Sequence, residues 1–237
     1  MQRSLAAKDK IIVALDVPKL KDAQLLIKNL AGFVGLFKVG NQLFTAAGPD
    51  LVKEIIDSGS QVFLDLKFHD IPNTVRGGVE SACRLGVKML TVHLSGGKEM
   101  AEAAVAGRQN ASTLILGVTV LTSSNDATLI ETGITNQVKD QVLLLANLAK
   151  SAGITGLVAG PLELAMIRKE FDDHFTTVIP GIRPAWAATG DQKRIMTPAE
   201  AVASGADYLV IGRPITSAQN PKDAVNRIIE ELNAIDS

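Results

Sequence analysis

Short apolar runs alternate with amphipathic stretches along the whole chain. The runs at 10–15, 34–39, 61–67, 87–92, 113–120, 156–159, 176–179 and 207–211 have the length and residue types of buried strands. Between them, apolar positions three and four apart predict helices over 20–30, 41–58, 72–85, 98–106, 136–151, 162–170, 197–204 and 221–235. Local signals sharpen several bounds. Pro18 follows the first run, and Gly48-Pro49 interrupts the second helix. Pro72 stands in the first turn of the third helix. Thr197, Pro198 and Glu200 occupy the N-cap, N1 and N3 positions of a capping box. Strands alternating with helices argue for a parallel sheet, and near-continuous apolar strands say that both its faces are covered. Eight such units without a linker predict a single α/β domain over 1–237, a closed (β/α)8 TIM barrel. An open doubly wound sheet is the alternative. It lacks its dinucleotide-binding fingerprint, since no Gly-x-Gly-x-x-Gly follows the first strand.

Composition narrows the function. The net charge of −1 leaves no electrostatic footprint for nucleic acid or an anionic membrane. Aromatic residues, at 4%, are too few to build stacking platforms for bases. No run reaches the 18 or so apolar residues of a membrane span, and residues 1–10 hold no apolar core of signal-peptide length. A soluble, cytoplasmic protein is expected. The single cysteine, Cys83, excludes an internal disulfide and reads as a small packed residue in a helix.

In a (β/α)8 barrel the chemistry sits at the C-terminal ends of the strands. Asp16, Lys38, Asp65, Lys67 and Asp70 fall at or just beyond the first three of those ends, and His93, Thr122, Arg183 and Arg213 close four others. The opposite ends carry mainly Lys10, Lys88 and Asp207. Asp65 and Lys67, two apart on a strand, share a face. Alone they would read as an ion pair neutralised at a strand end. The one-sided loading of the barrel favours a catalytic reading instead. Lys38, Asp65, Lys67 and Asp70 form a set of alternating charge, suited to act on charge that develops in a substrate. Ammonium groups interposed between carboxylates make it a poor metal site, and no metal is expected.

Other positions keep two readings. Ile211-Gly212-Arg213-Pro214 is a phosphate grip or a glycine turn with a solvated arginine. The aperiodic run 182–194 reads as a mobile loop closing on the phosphate, with Trp186 covering the ligand or packing on the rim. Asp70, just before Ile71-Pro72, can also cap the following helix. Thr122 faces the ligand or satisfies backbone. His93 reads as a hydrogen-bonding residue of the barrel mouth rather than a general base.

Asp65-Leu66-Lys67-Phe68-His69-Asp70-Ile71-Pro72-Asn73-Thr74 closely resembles the signature of the orotidine 5'-phosphate decarboxylase family, in its free-standing bacterial form. The similarity continues through Leu15-Asp16-Val17, Phe37-Lys38-Val39-Gly40, Leu121-Thr122-Ser123, Pro180-Gly181-Ile182-Arg183, Gly190-Asp191-Gln192 and Ile211-Gly212-Arg213-Pro214. The resemblance implies cofactor-free decarboxylation of orotidine 5'-monophosphate to uridine 5'-monophosphate in pyrimidine biosynthesis. By likeness, Asp16 and Lys38 hold the ribose hydroxyls, Asp65 lies beside the substrate carboxylate, and Lys67 delivers the proton. Thr122 contacts the pyrimidine. Gln192 and Arg213 grip the phosphate, with Gly212 offering its N–H and Arg183 close by. The family's homodimer would carry Asp70 and Thr74 into the neighbouring subunit's site. Related sugar-phosphate decarboxylases and aldolases share Asp16, Asp65, Lys67 and Asp70, but use magnesium and carry an acidic residue where this chain has Lys38. A non-catalytic phosphate-binding barrel would not need two lysines interleaved with two aspartates.

Overall fold

The eight apolar runs close on themselves. In the computed structural model, which describes residues 5–187 and 195–235, they form a parallel barrel in sequential order, the last strand pairing with the first. The strands are β1 (Ile11–Ala14), β2 (Leu36–Gly40), β3 (Gln61–Phe68), β4 (Met89–His93), β5 (Leu114–Val118), β6 (Gly156–Val158), β7 (Thr176–Ile179) and β8 (Tyr208–Ile211). Helices α1 (Leu20–Leu30), α2 (Asn41–Asp57), α3 (Pro72–Arg84), α4 (Lys98–Arg108), α5 (Asp126–Glu131), α6 (Val138–Ser151), α7 (Leu164–Phe171), α8 (Pro198–Ala203), α9 (Arg213–Thr216) and α10 (Pro221–Asn233) follow the strands around the outside. Among the described residues no helix is long and apolar enough to cross a membrane.

The local signals act where expected. Gly48 adopts φ +66° and kinks α2 ahead of Pro49, a backbone state that glycine reaches without steric cost. Thr197 and Glu200 make the full capping box of α8. Cys83 is half-buried and packs against the core. Two short helices, α5 and α9, escape a reading based on periodicity, because one or two turns carry too few positions to show it. Asn125 caps α5 by accepting the Thr128 N–H, and Asp126 accepts the Val138 N–H at 2.8 Å, which sets the start of α6.

The strand period of two sorts residues to two cores. Ile11, Val13, Phe37, Val39, Val62 and Leu64 point outward and pack against the helices. Ile12, Ala14, Leu36, Phe63, Met89, Leu116, Val178 and Val210 fill the barrel interior. Following the inward face toward the C-terminal ends, Leu36 gives way to Lys38, Phe63 to Asp65 and Met89 to Thr91. The inward face thus turns from apolar to polar within two residues, and the apolar layer becomes a floor for the charges above it.

Asp207, at the opposite end, belongs to a staple. Arg168 of α7 donates to Asp207 Oδ2 at 2.7 Å, to the Gly205 and Phe175 carbonyls and to Thr177 Oγ1. The same Asp207 oxygen accepts the Thr177 N–H at 2.7 Å. The cluster ties α7 to the starts of β7 and β8, far from the barrel mouth. Arg168→Ala would leave a largely buried carboxylate without its guanidinium, a loss of about 3–5 kcal/mol. Thermal unfolding should show a melting point lower by roughly 6–20 °C, given about 2–4 °C per kcal/mol for a domain of this size. Turnover at room temperature should stay unchanged.

Candidate active site

Asp16, Lys38, Asp65 and Lys67 stand in a row across the ends of β1, β2 and β3. Lys38 Nζ lies 2.8 Å from Asp16 Oδ1 and 3.6 Å from Asp65 Oδ2, and Lys67 Nζ lies 2.9 Å from Asp65 Oδ1. The signs alternate, so each inner charge has opposite charge on both sides. Strand register builds the row, since Ala14 pairs with Lys38 and Gly40 with Asp65. Gly40 keeps the Lys38–Asp16 contact open: a Cβ there would sit 3.2 Å from Lys38 Nζ and 3.4 Å from Asp16 Oδ1. Lys38 is buried, which is sustainable for an ammonium only when paired.

Burial pushes the Asp65 carboxyl up. The Lys38 and Lys67 ammonium groups, with hydrogen bonds from Lys67 and Thr91, outweigh it and hold Asp65 below the usual carboxylate range. Asp65 is therefore ionised at neutral pH despite its burial.

Lys67 reaches this row through an irregular backbone. The β3–β4 pairing shifts register between Leu64 and Phe68, and Lys67 sits in the left-handed region at φ +51°. A bulge of this kind re-aims a side chain, and the conformation is uncommon for a residue with a Cβ. Thr91, fully buried on β4, accepts the Lys67 backbone N–H at 2.9 Å and donates to Asp65 Oδ1 at 3.0 Å. Alternation along the strand predicts that Asp65 and Lys67 meet, but it does not reveal the bulge or Thr91.

The row opens into a cavity of about 480 Å³. Its lining unites Asp16, Lys38, Asp65 and Lys67 with Thr122, Arg183, Gly212 and Arg213. Eight of the expected site residues, drawn from distant parts of the chain, therefore share one chamber. Ala14, Phe63, Val118, Val158 and Val210 add apolar surface. Leu121, Ser123, Pro180 and Gly181, from two of the stretches that carry the family resemblance, also line it, as does Thr216, which carried no signal in the sequence. Arg213 opens α9, with Gly212 as its N-cap. The segment is thus a helix start at the cavity wall and not a simple turn.

Asp70 and Thr74 lie elsewhere. They border a neighbouring groove with His69, Phe68 and the far side of Lys67. Asp70 makes no ion pair among the described residues, so within one chain Asp16, and not Asp70, is the fourth member of the alternating row. The helix-cap reading of Asp70 also gives way. The N-cap of α3 is Ile71, without a side-chain bond, and exposed Asp70 accepts the Ile71 N–H at 2.6 Å. Gln192 lies outside the described residues, as does the whole of 188–194 within the 182–194 run. The ends of that run are joined: Ile182 bridges to Met196, and the Arg183 N–H donates to the Met196 carbonyl at 2.9 Å. Trp186 does not line the cavity. Its ring stacks on the Arg227 guanidinium of α10 at 4.1 Å, which is rim packing.

His93 stands outside the cavity lining, 5.4 Å from His69 between ring centroids. Burial, then the neighbouring His69 and Lys67, push its imidazole below the ordinary value, with Asp65 opposing. That pairing had no counterpart in the sequence pattern, since histidines 24 positions apart meet only through β3–β4 pairing. Among the described residues no three His, Cys, Asp or Glu side chains gather in a group that could hold a metal ion.

Known proteins share both this chain's sequence and its architecture. A sequence model of the orotidine 5'-phosphate decarboxylase / HUMPS family matches residues 9–228. The orotidine 5'-phosphate decarboxylase of Syntrophotalea carbinolica is 50% identical over 235 residues, covering 96% of this chain and 96% of its own. That of Geotalea daltonii is 51% identical over 235 residues, covering 96% and 98%. The crystal structure of orotidine 5'-phosphate decarboxylase from Lactobacillus acidophilus superposes with a TM-score of 0.83 at 38% identity, covering 94% of this chain and 98% of that one. With a family match over nearly its whole length and half its residues shared with such relatives, the chain belongs to the orotidine 5'-phosphate decarboxylase / HUMPS family.

Proposed function

We propose that this protein decarboxylates orotidine 5'-monophosphate to uridine 5'-monophosphate in pyrimidine biosynthesis, without a cofactor, and that Lys67 supplies the proton. The observation that carries the reading is the alternating row Asp16–Lys38–Asp65–Lys67 at one wall of a chamber that also holds Arg213. The names of the relatives at about half identity support the same substrate. The family description also spans the sugar-phosphate branch. The Lys38 ammonium, bound to both Asp16 and Asp65, favours the nucleotide over that branch, because it occupies the place where the rival carries an acidic residue.

The reaction breaks the bond between ring carbon C6 and the carboxylate carbon. Carbon dioxide leaves, and the electron pair stays on C6, where the ring offers no obvious sink. The Lys67 ammonium stabilises this developing charge and then transfers a proton from Nζ to C6, forming the product and leaving a neutral amine that solvent reprotonates. Ionised Asp65 stands beside the departing carboxylate, and that repulsion disappears with carbon dioxide. Its second task is plainer: with Lys38, it fixes the Lys67 ammonium before substrate arrives. Asp16 and Lys38 hold the ribose hydroxyls, and Thr122 contacts the pyrimidine. Arg213, Gly212, Arg183 and Gln192 bind the phosphate, whose remote binding energy draws the 182–194 loop over the site. The working unit is a cytoplasmic homodimer in which exposed Asp70 and Thr74 complete the neighbouring site.

Protein freed of metal by exhaustive chelation is expected to convert orotidine 5'-monophosphate at full rate, followed as loss of substrate absorbance. Failure of that assay, with activity restored by magnesium and directed at a sugar phosphate, would replace the proposal with the rival.

A further inference from the structure

We infer that Thr91 is a positioning residue for the acid of this reaction: its hydroxyl locks the Lys67 backbone and the Asp65 carboxylate into one geometry. The inference rests on the reading of Lys67 as proton donor.

Lys67 occupies a left-handed backbone state, at φ +51°, within a break in the β3–β4 ladder. Such a state is uncommon for a residue with a Cβ and persists only when the surroundings over-determine it. Within this break the Lys67 N–H donates to Thr91 Oγ1 at 2.9 Å, on a side chain with no solvent exposure. Having accepted this N–H, the hydroxyl directs its own proton to Asp65 Oδ1 at 3.0 Å. The same oxygen receives the Lys67 ammonium at 2.9 Å. One hydroxyl therefore ties the two ends of the Lys67 residue, backbone directly and Nζ through the carboxylate, to a single rigid strand.

A hydroxyl can accept and donate at once. Valine has the same shape and can do neither. Met89, two residues back on the same inward face, is an apolar core residue.

Thr91→Val should lower kcat by about 10²-fold, the scale expected when a reacting group is misplaced by roughly 1 Å, with KM nearly unchanged. Its acid limb in kcat should move to higher pH. Thr91 is one of the groups that hold the Asp65 carboxyl down, alongside Lys38 and Lys67. Without it Asp65 protonates at higher pH, and kcat, which reports the bound complex, follows. Thr91→Ser and Thr91→Ala form the second pair. Both lose the methyl group, and only serine keeps the hydroxyl, so serine should restore kcat and the acid limb while alanine should not. Equal kcat and equal acid limbs for serine and alanine would overturn the inference, even if Thr91→Val failed to fold. A Thr91→Val chain with wild-type kcat beside an inactive Lys67→Ala chain would remove the positioning role alone. A fully active Lys67→Ala chain would instead remove the reading on which it rests.

Discussion

Lys67→Ala is expected to lower turnover of orotidine 5'-monophosphate by at least about 10⁴-fold, combining the loss of a general acid with the loss of a charge aimed at the reacting carbon. The fold should survive. Asp65 keeps Lys38 on its other oxygen and the hydrogen bond from Thr91, so no buried charge is orphaned. The backbone state at residue 67 is not made worse, because lysine and alanine both carry a Cβ there. Circular dichroism should show an intact barrel with a melting point close to that of the parent chain. Substrate binding should persist, since Arg213, Arg183 and Thr122 line another part of the cavity. Retained turnover with intact folding would refute Lys67 as the proton donor. Loss of turnover together with loss of fold would be a stability effect, so both measurements are needed on one preparation.

Most of this barrel was legible because its strands bury both faces. An apolar run that ends on Asp or Lys marks where the inward face meets the mouth, and in β1, β2 and β3 that boundary falls at Asp16, Lys38 and Asp65. What escaped was pairing between strands. Thr91 looks like any β-branched residue in an apolar run, and only β3–β4 register brings it to Asp65. The bulge at Lys67 gave no signal, because lysine is not a residue that announces a left-handed conformation. Trp186 kept two readings until the position of Arg227 on α10 decided between them, a contact that spans 41 positions of sequence. Asp70 stands outside its own chain's row for a different reason. Its spacing from Asp65 and Lys67 suggested a shared site, but β3 ends at Phe68 and the chain turns away toward α3. Residues two apart on a strand share a face, whereas residues across its end need not.

That turn gives Asp70 its own test. An inactive Lys67→Ala chain mixed with an inactive Asp70→Ala chain should regain activity if Asp70 serves the neighbouring subunit. In a two-fold dimer each site would take Lys67 from one protomer and Asp70 from the other. A hybrid then holds one doubly damaged site and one intact site. Random reassortment at equal ratio makes about half the dimers hybrids, and half the sites in each are intact, so the mixture should reach roughly a quarter of parent activity. If Asp70 served its own chain, every site in every dimer would carry a lesion, and mixing would recover nothing. The exposed carboxylate, outside its own chain's cavity and held among the described residues only by the Ile71 N–H, favours the first outcome. The readout is clean because each parent chain starts near zero. Recovery must also follow subunit exchange, appearing after mild dissociation and reassociation and not on simple mixing of locked dimers. An activity that stays at zero after demonstrated exchange would return Asp70 to its own subunit, or remove it from the site.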